Sequence, residues 1–210
     1  SWPVTSPFYI MHCDLWQPGL LKNKHGATYY SLNYMCDLTQ FVVCTVVTDP
    51  DSAYLAKVFM ESVVLSFGMV AVVVVDADSK FKGVFEELCK ILKLVFWPVA
   101  RGNHKGLSVE RFHRFFNKTQ TICGNDRCTH ESFITNIKTS QYAWNSAPID
   151  NTDVIRSVAA VGREFKFPMD MELQPTPALN DEANYALFQY LRHVSCTSNF
   201  AQSILQVLLE

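Results

Sequence analysis

A nearly unbroken run of valines at residues 70–75 is the feature that most constrains the fold. β-Branched residues favour strands, and a strand without polar alternation has both faces buried. Such a strand belongs to a sheet with helices on both sides. The run ends abruptly at Asp76, which begins the polar stretch Asp76-Ala77-Asp78-Ser79. The sequence therefore predicts an α/β fold around this strand.

The other apolar patterns supply the remaining strands and helices. Three strands are predicted before the valine run, at residues 8–15, 27–34 and 41–47, and a further buried strand follows it at 94–97. Helical spacing predicts helices at 54–67, 84–92, 130–144 and 152–161. This order predicts a mixed sheet in which the antiparallel strands come first and the parallel crossovers come later.

Charge is unevenly distributed along the 210 residues. The net charge is only −2, which does not suggest a generally basic nucleic-acid binder. Residues 80–118, however, contain nine of the 18 Lys and Arg residues and only three acidic ones. A local excess of this kind can mark a surface that faces phosphate.

Cysteine usage and hydropathy give weaker expectations. Seven scattered cysteines and no signal peptide suggest free thiols in an intracellular compartment. Cys123, Cys128 and His130 lie close together, but they lack an obvious fourth zinc ligand, so coincidence is the preferred explanation. The apolar residues 63–75 are too few to span a bilayer, and no membrane association is expected.

Three acidic residues stand where apolar residues are expected. Asp14 lies inside a predicted strand, Asp76 ends the valine run, and Glu110 lies near the start of a predicted helix. Each has an ordinary alternative, because acids at strand ends often form turns or cap helices, and Asp37 is explained in that way. A buried carboxylate is costly unless it is paired or bound to metal. The three together favour a site for Mg²⁺ or Mn²⁺.

The segment 100–118 joins a polar, glycine-bearing loop to an amphipathic helix, with Ser108 as the predicted N-cap. Steps of four residues place Glu110, Arg114 and Lys118 on one face. A carboxylate among cations suits a metal that meets a polyanion. The alternative is a solvated helix with a Glu–Arg pair.

Five motifs in this order resemble the catalytic core of retroviral-type integrases, as encoded in copia- and gypsy-type retrotransposon polyproteins. The matching segments are residues 12–18 (HCDLWQP), 30–41, 76–81 (DADSKF), 106–111 (GLSVER), and 142–148 (YAWNSAP) with 162–164 (GRE). The resemblance covers residues 8–167. There are two departures: the spacing from Asp76 to Glu110 is slightly short, and Asp78 stands where glycine is frequent.

The resemblance implies a ribonuclease H-like fold, with a five-stranded mixed sheet flanked by helices. It implies that Asp14, Asp76 and Glu110 hold two Mg²⁺ (or Mn²⁺) ions and catalyse 3′-end processing and DNA strand transfer. The implied partners are element DNA, target DNA and further copies of the chain, with joining in the nucleus. The candidates for DNA contact are His104, Lys105, Arg111, His113, Arg114, Asn117 and Lys118.

Three functions are compatible with these motifs. The core is either an active integrase, a related nuclease that cuts without joining, or an inactive DNA-binding or assembly module. The catalytic core is predicted to span residues 1–167. Residues 168–210 are predicted to form a proline-containing connector and extra C-terminal helices, as the start of a truncated region.

Overall fold

A computed structural model describes residues 6–17, 26–76, 79–99, 109–122 and 130–165. The chain divides into two units, Ser1–Phe165 and Lys166–Glu210, and all described residues belong to the first. The predicted boundary at residue 167 and the predicted C-terminal helices lie outside the described residues, and they stay predictions.

A five-stranded sheet with the strand order β3-β2-β1-β4-β5 forms the centre of the first unit. The strands are β1 Ile10–Trp16, β2 Tyr29–Cys36, β3 Val42–Thr48, β4 Val72–Asp76 and β5 Val95–Val99. β2 pairs antiparallel with both β1 and β3, whereas β4 pairs parallel with both β1 and β5. The predicted mixed sheet is confirmed.

Helices connect and cover the strands. They are α1 Ser52–Phe59, α2 Leu65–Phe67, α3 Val84–Ile91, α4 Val109–Ile122, α5 His130–Asn145 and α6 Arg156–Val161. A π-helical turn at Met60–Val64 joins α1 to α2. Asp51 caps α1, because its carboxylate accepts a hydrogen bond from the Tyr54 backbone N–H at 2.7 Å. Helix α6 begins later than predicted, since Asn151 adopts a left-handed φ of 60° within a preceding turn.

Each face of the sheet carries its own apolar core, as the valine run predicts. The face under α1 and α3 includes Met11, Cys13, Leu32, Tyr34, Val73, Val75, Phe59 and Phe85. The opposite face packs against α4 and α5 and includes Tyr29, Met35, Val42, Cys44, Phe112, Phe116, Phe133 and Ile137. Because side chains alternate along a strand, residues next to Cys13 and Val75 in β1 and β4 face α4.

The prediction of a buried last strand is wrong. β5 lies at an edge of the sheet, and its side chains Val95 and Trp97 are 37% and 49% exposed. Pro98, paired in register with Val75, also fits an edge strand because proline offers no N–H to a further neighbour. Among the described cysteines, Cys13, Cys36, Cys44 and Cys89 are buried and free.

The other edge of the sheet, β3, is closed by side chains of α5. The Asn145 amide accepts from the Val42 N–H and donates to the Val42 carbonyl, both at 2.8 Å. Gln141 accepts from the Cys44 N–H at 2.9 Å, and the Lys138 ammonium donates to the Cys44 carbonyl. These bonds occupy backbone groups that would otherwise be available to a sixth strand.

We expect Asn145→Leu to lower the free energy of unfolding by at least about 2 kcal/mol, because it leaves a buried N–H and a buried carbonyl without partners. Gln141→Leu, which removes only one acceptor from a half-buried position, should cost less. Urea denaturation gives both values, and amide hydrogen exchange at Val42 should accelerate in the Asn145 variant. Equal losses would contradict the edge-closing role of Asn145.

Candidate active site

The first two predicted acids lie side by side at one edge of the sheet. Cys13 of β1 pairs in parallel register with Val75 of β4, so Asp14 and Asp76 occupy the next positions on neighbouring strands. Since Cys13 and Val75 pack under α1 and α3, both acidic side chains lie on the α4 face. Asp14 and Asp76 are each partly exposed. The sheet therefore places two carboxylates at adjacent carboxyl ends of parallel strands.

Helix α4 brings further polar groups to this edge. The Nδ1 atom of His113 lies 3.5 Å from Oδ2 of Asp14. Glu110 precedes His113 by three residues, and residues three apart lie on the same side of a helix. Glu110 is in the first turn of α4 and is partly exposed. Helix α4 thus brings His113 to the edge that carries Asp14, and Glu110 lies three residues earlier on the same helix.

A series of buried polar side chains leads through the protein interior to Asp14. Asn33 lies directly opposite Asp14 in the β1–β2 register, and its Nδ2 atom is 2.9 Å from Nε2 of His113. The hydroxyl of Ser31 donates to Oδ1 of Asn33 at 2.7 Å. Ser31 and Asn33 are 1% and 0% exposed. The series therefore runs from Ser31 through Asn33 and His113 to Asp14.

The imidazole of His113 is held in an apolar setting. Its ring stacks on Trp16, with ring centroids 5.5 Å apart, and the residue is 8% exposed. Burial lowers the pKa of His113 to about 4, although the neighbouring Asp14 carboxylate favours the protonated form. His113 is therefore neutral at pH 7 and does not cancel the charge of Asp14.

The three acids fit a hard divalent cation by the chemistry of their side chains. Carboxylate oxygens are the ligands that Mg²⁺ and Mn²⁺ prefer. Across the described ranges, no group of three or more His, Cys, Asp or Glu side chains is arranged as a metal site. Asp78, the extra acid noted in the sequence, lies outside those ranges, as do Cys123 and Cys128. The ligand assignment to Asp14, Asp76 and Glu110 stays a prediction.

The candidates for DNA contact fall into three groups. Arg114, Asn117 and Lys118 are exposed on α4, on the side away from the apolar core. Arg111 is also exposed, but its guanidinium donates to the Asp150 carboxylate at 2.9 Å. His113 is buried behind Asp14, so we do not include it in a DNA-binding surface. His104 and Lys105 lie outside the described residues.

Asp37 lies away from this edge, as its explanation by local structure predicts. Its backbone N–H donates to the carbonyl of Ile10, at the opposite end of β1 from Asp14. Its carboxylate lies 2.8 Å from Nε2 of His12, and that hydrogen bond lowers the pKa of Asp37. Asp37 therefore has a partner of its own and belongs to a different part of the sheet.

Sequence reasoning missed Ser31 and Asn33. The signal was present, because the predicted strand contains polar residues at positions 31 and 33 between the apolar Tyr29 and Met35 of the same face. Buried polar side chains need hydrogen-bond partners. Two of them in succession on one face indicate a polar group on whatever packs above, which here is His113.

Comparison with known proteins agrees with this fold. No protein-family model matches the chain. Over 102 residues, or 48% of the chain, it is 28% identical to the retrovirus-related Pol polyprotein from transposon 412 of Drosophila melanogaster. The chain covers only 8% of that polyprotein's length.

Solved structures with similar folds include retroviral integrases. The chain matches a subunit of the simian T-cell lymphotropic virus intasome, solved in complex with the PP2A regulatory subunit B56 gamma, with a TM-score of 0.61 and 13% identity. That match covers 84% of this chain and 59% of the other. The HTLV-2 integrase catalytic core domain in complex with magnesium, in its dimeric form, matches with a TM-score of 0.53 and 13% identity, over 75% of this chain and 98% of the core.

The described part of the chain therefore has the ribonuclease H-like fold of an integrase catalytic core. Its fold is similar to that of integrase catalytic cores, and its sequence resembles part of a retrotransposon Pol polyprotein. The resemblance predicted from the sequence motifs is confirmed. Within the described residues, no helix is both long and apolar enough to cross a membrane.

Proposed function

We propose that the chain is the catalytic domain of a retrotransposon integrase, which processes the 3′ ends of the element DNA and joins them to target DNA. The observation that carries the proposal is the placement of Asp14 and Asp76 at adjacent carboxyl ends of parallel strands, with His113 of α4 3.5 Å from Asp14. Glu110 belongs to the first turn of α4, three residues before His113. The fold similarity to integrase cores supports the same assignment.

Asp14, Asp76 and Glu110 would hold two Mg²⁺ or Mn²⁺ ions. The HTLV-2 core with a similar fold was solved in complex with magnesium, which agrees with this choice. Such ions, when bound, help to deprotonate an attacking hydroxyl or water and stabilise the leaving oxygen of a phosphodiester. The protein's own part is to fix the three carboxylates. β1 and β4 are central strands of the sheet, and α4 is anchored by the buried side chains of Val109, Phe112 and Phe116.

The two proposed reactions have the same balance of bonds. In the first, water attacks a phosphorus near the element's end, one P–O bond forms, another breaks, and a 3′-hydroxyl is released. In the second, that hydroxyl attacks a target phosphodiester and releases a target 3′-hydroxyl. Because each step exchanges one P–O bond for another, no side chain of the protein needs to form a covalent bond to DNA.

The exposed side of α4 would position the DNA. Arg114, Asn117 and Lys118 follow Glu110 along the helix, so a strand whose phosphate lies at the carboxylates can continue along these side chains. Phosphate contacts of this kind give register and affinity but little sequence preference. Arg111 is a weaker candidate, since its guanidinium is already bound to Asp150.

The proposal is tested with the 210-residue chain and a short duplex that carries the element's terminal sequence. We expect end cleavage and strand joining in Mg²⁺ or Mn²⁺, and neither reaction in EDTA. A pre-processed duplex separates the reactions, because a nuclease that only cuts would not join it to a target. Specific DNA binding without turnover under all conditions would instead favour an inactive binding or assembly module.

We expect Arg114→Ala with Lys118→Ala to weaken duplex binding and to flatten its salt dependence, by up to about 0.9 in log–log slope for each phosphate that the protein no longer neutralises. The matched control is Lys57→Ala with Lys90→Ala, which removes the same charge from the exposed surfaces of α1 and α3. Fluorescence anisotropy across a salt series gives the slopes. Equal slopes in the two double variants would show that α4 does not meet the DNA.

An integrase of this kind would act as an assembly on two DNA substrates. The HTLV-2 integrase core is known in dimeric and trimeric forms, and we propose that this chain also acts as a homo-oligomer. Its substrates would be the element ends and the target DNA. The joining step would take place in the nucleus, where target DNA lies.

A further inference from the structure

We infer that Ser31, Asn33 and His113 form a positioning relay that holds the Asp14 carboxylate for metal binding, with His113 as the neutral Nδ1–H tautomer. The inference rests on the proposed function for the role of Asp14, whereas the relay itself is a property of the metal-free fold. Its evidence is two short hydrogen bonds, Ser31 to Asn33 and Asn33 to His113, followed by a longer polar contact of 3.5 Å from His113 to Asp14.

The direction of each hydrogen bond follows from the chemistry of the groups. An amide nitrogen can only donate, so Nδ2 of Asn33 must donate to Nε2 of His113 at 2.9 Å. In the amide orientation of the structure, the Ser31 hydroxyl donates to the amide oxygen at 2.7 Å, which leaves Nδ2 directed at His113. A neutral imidazole that accepts at Nε2 carries its proton on Nδ1. The proton then lies on the nitrogen that faces Asp14.

The contact between His113 and Asp14 can orient the carboxylate, but it is a weak hydrogen bond. A separation of 3.5 Å between Nδ1 and Oδ2 is at the outer limit of a hydrogen bond. The donor nevertheless gives Oδ2 a preferred direction towards α4, and the Trp16 ring packs against the imidazole at a centroid distance of 5.5 Å. Hydrogen-bonded partners of this kind orient metal-binding carboxylates and strengthen their hold on the ion.

The relay also joins three separate elements of the fold. Ser31 and Asn33 belong to β2, Asp14 to β1 and His113 to α4. His113 therefore links the position of the helix that carries Glu110 to the strand that carries Asp14. Loss of the ring nitrogen should loosen both ligands without opening the sheet.

The first test is the ring tautomer in metal-free protein. Long-range ¹H–¹⁵N spectra of the ¹⁵N-histidine-labelled 210-residue chain distinguish the two neutral forms, and His113→Asn assigns the signal. We expect the Nδ1–H form in the wild type. We expect Asn33→Leu to release that preference, because it removes the donor to Nε2. A wild-type ring in the Nε2–H form would overturn the relay.

The second test is Mn²⁺ affinity, measured by calorimetry without DNA. In His113→Asn the amide nitrogen can replace Nδ1 near Asp14, whereas in His113→Gln it replaces Nε2 instead. We expect the Asn variant to stay within about threefold of the wild type, and the Gln and Phe variants to lose about 10–100-fold. Equal affinity in all four proteins, or equal loss in the three variants, would overturn the positioning role.

The two tests distinguish a failure of the relay from a failure of the proposed function. Circular dichroism and urea denaturation establish that each variant is folded before its affinity is compared. A wild type that binds no Mn²⁺ would overturn the metal-dependent function and the positioning role together, and the tautomer would still decide whether the relay exists. Metal binding by a wild type with an Nε2–H ring would overturn the relay alone.

Discussion

Glu110→Gln should abolish both end cleavage and strand joining while the protein stays folded. Gln is nearly isosteric with Glu and has a similar helix propensity, so α4 should persist. The amide oxygen lacks the charge that a hard cation requires of its ligand. If the ions supply several kcal/mol of transition-state stabilisation, the absence of one ligand should cost at least about 100-fold in rate.

Glu87→Gln is the matched control, because Glu87 also lies in the first turn of an amphipathic helix, α3, on the other side of the sheet. Each substitution removes one favourable interaction with a helix N-terminus, worth about 0.3–1 kcal/mol. The two variants should therefore melt within a few degrees of each other in EDTA. Only Glu110→Gln should lose turnover.

Retained activity in Glu110→Gln would refute the assigned mechanism. It would instead agree with the simpler explanation of Glu110 as part of a charged helix surface, where an exposed pair contributes only about 0.3–0.5 kcal/mol. A fall in activity that is matched by an equal fall in Glu87→Gln would indicate helix destabilisation rather than impaired metal binding.

The strands of the sheet could be predicted from sequence because each is marked by a pattern of residues within its own segment. The valine run requires burial on both faces, and Asp14 and Asp76 stand out against such apolar surroundings. Their adjacency depends on the order of the strands in space, because β4 pairs with β1 and not with β3, the strand that precedes it in the chain. The amphipathic pattern of α4 likewise predicted which side of that helix is buried.

The polar partners could not be predicted in the same way, because they depend on tertiary register. In the sequence, His113 looks like another basic residue of α4. Only the packing of that helix over β2 shows that its side chain reaches Asn33. The exposure of β5 also depends on the order of the strands in space. Leu94 and Val95 look alike in sequence, yet Leu94 is buried at 8% and Val95 is exposed at 37%.

Arg156 carries no distinctive sequence signal, although the fold surrounds its side chain with hydrogen-bond acceptors. Its guanidinium donates to the carbonyls of Ala147 and Pro148, to Gln40 and to Asp150. It also lies 4.1 Å from the centre of the Trp144 ring. These interactions fasten the segment after α5 to the β2–β3 turn.

We expect Arg156→Met to lower the free energy of unfolding by about 3–5 kcal/mol, measured by urea denaturation. Methionine keeps much of the aliphatic volume, so the loss of stability reports the buried polar interactions rather than a cavity. Removing the guanidinium leaves the part-buried carbonyls of Ala147 and Pro148 and the Gln40 side chain without their donor, and hydrogen bonds to a charged group contribute about 1.5–3 kcal/mol each. The side chain of Arg156 is only 3% exposed.

Arg111→Met provides the comparison, since Arg111 binds the other oxygen of the same Asp150 carboxylate at 2.9 Å. Its side chain is 56% exposed, so solvent screens the pair and we expect a loss below about 1 kcal/mol. Two arginines that share one carboxylate should thus differ several-fold in their effect on stability, because burial and not the ion pair itself sets the cost. Similar small losses for Arg111→Met and Arg156→Met would show that the hydrogen bonds of Arg156 to the backbone carbonyls contribute little. A large loss for both would place the stabilising role on Asp150 instead.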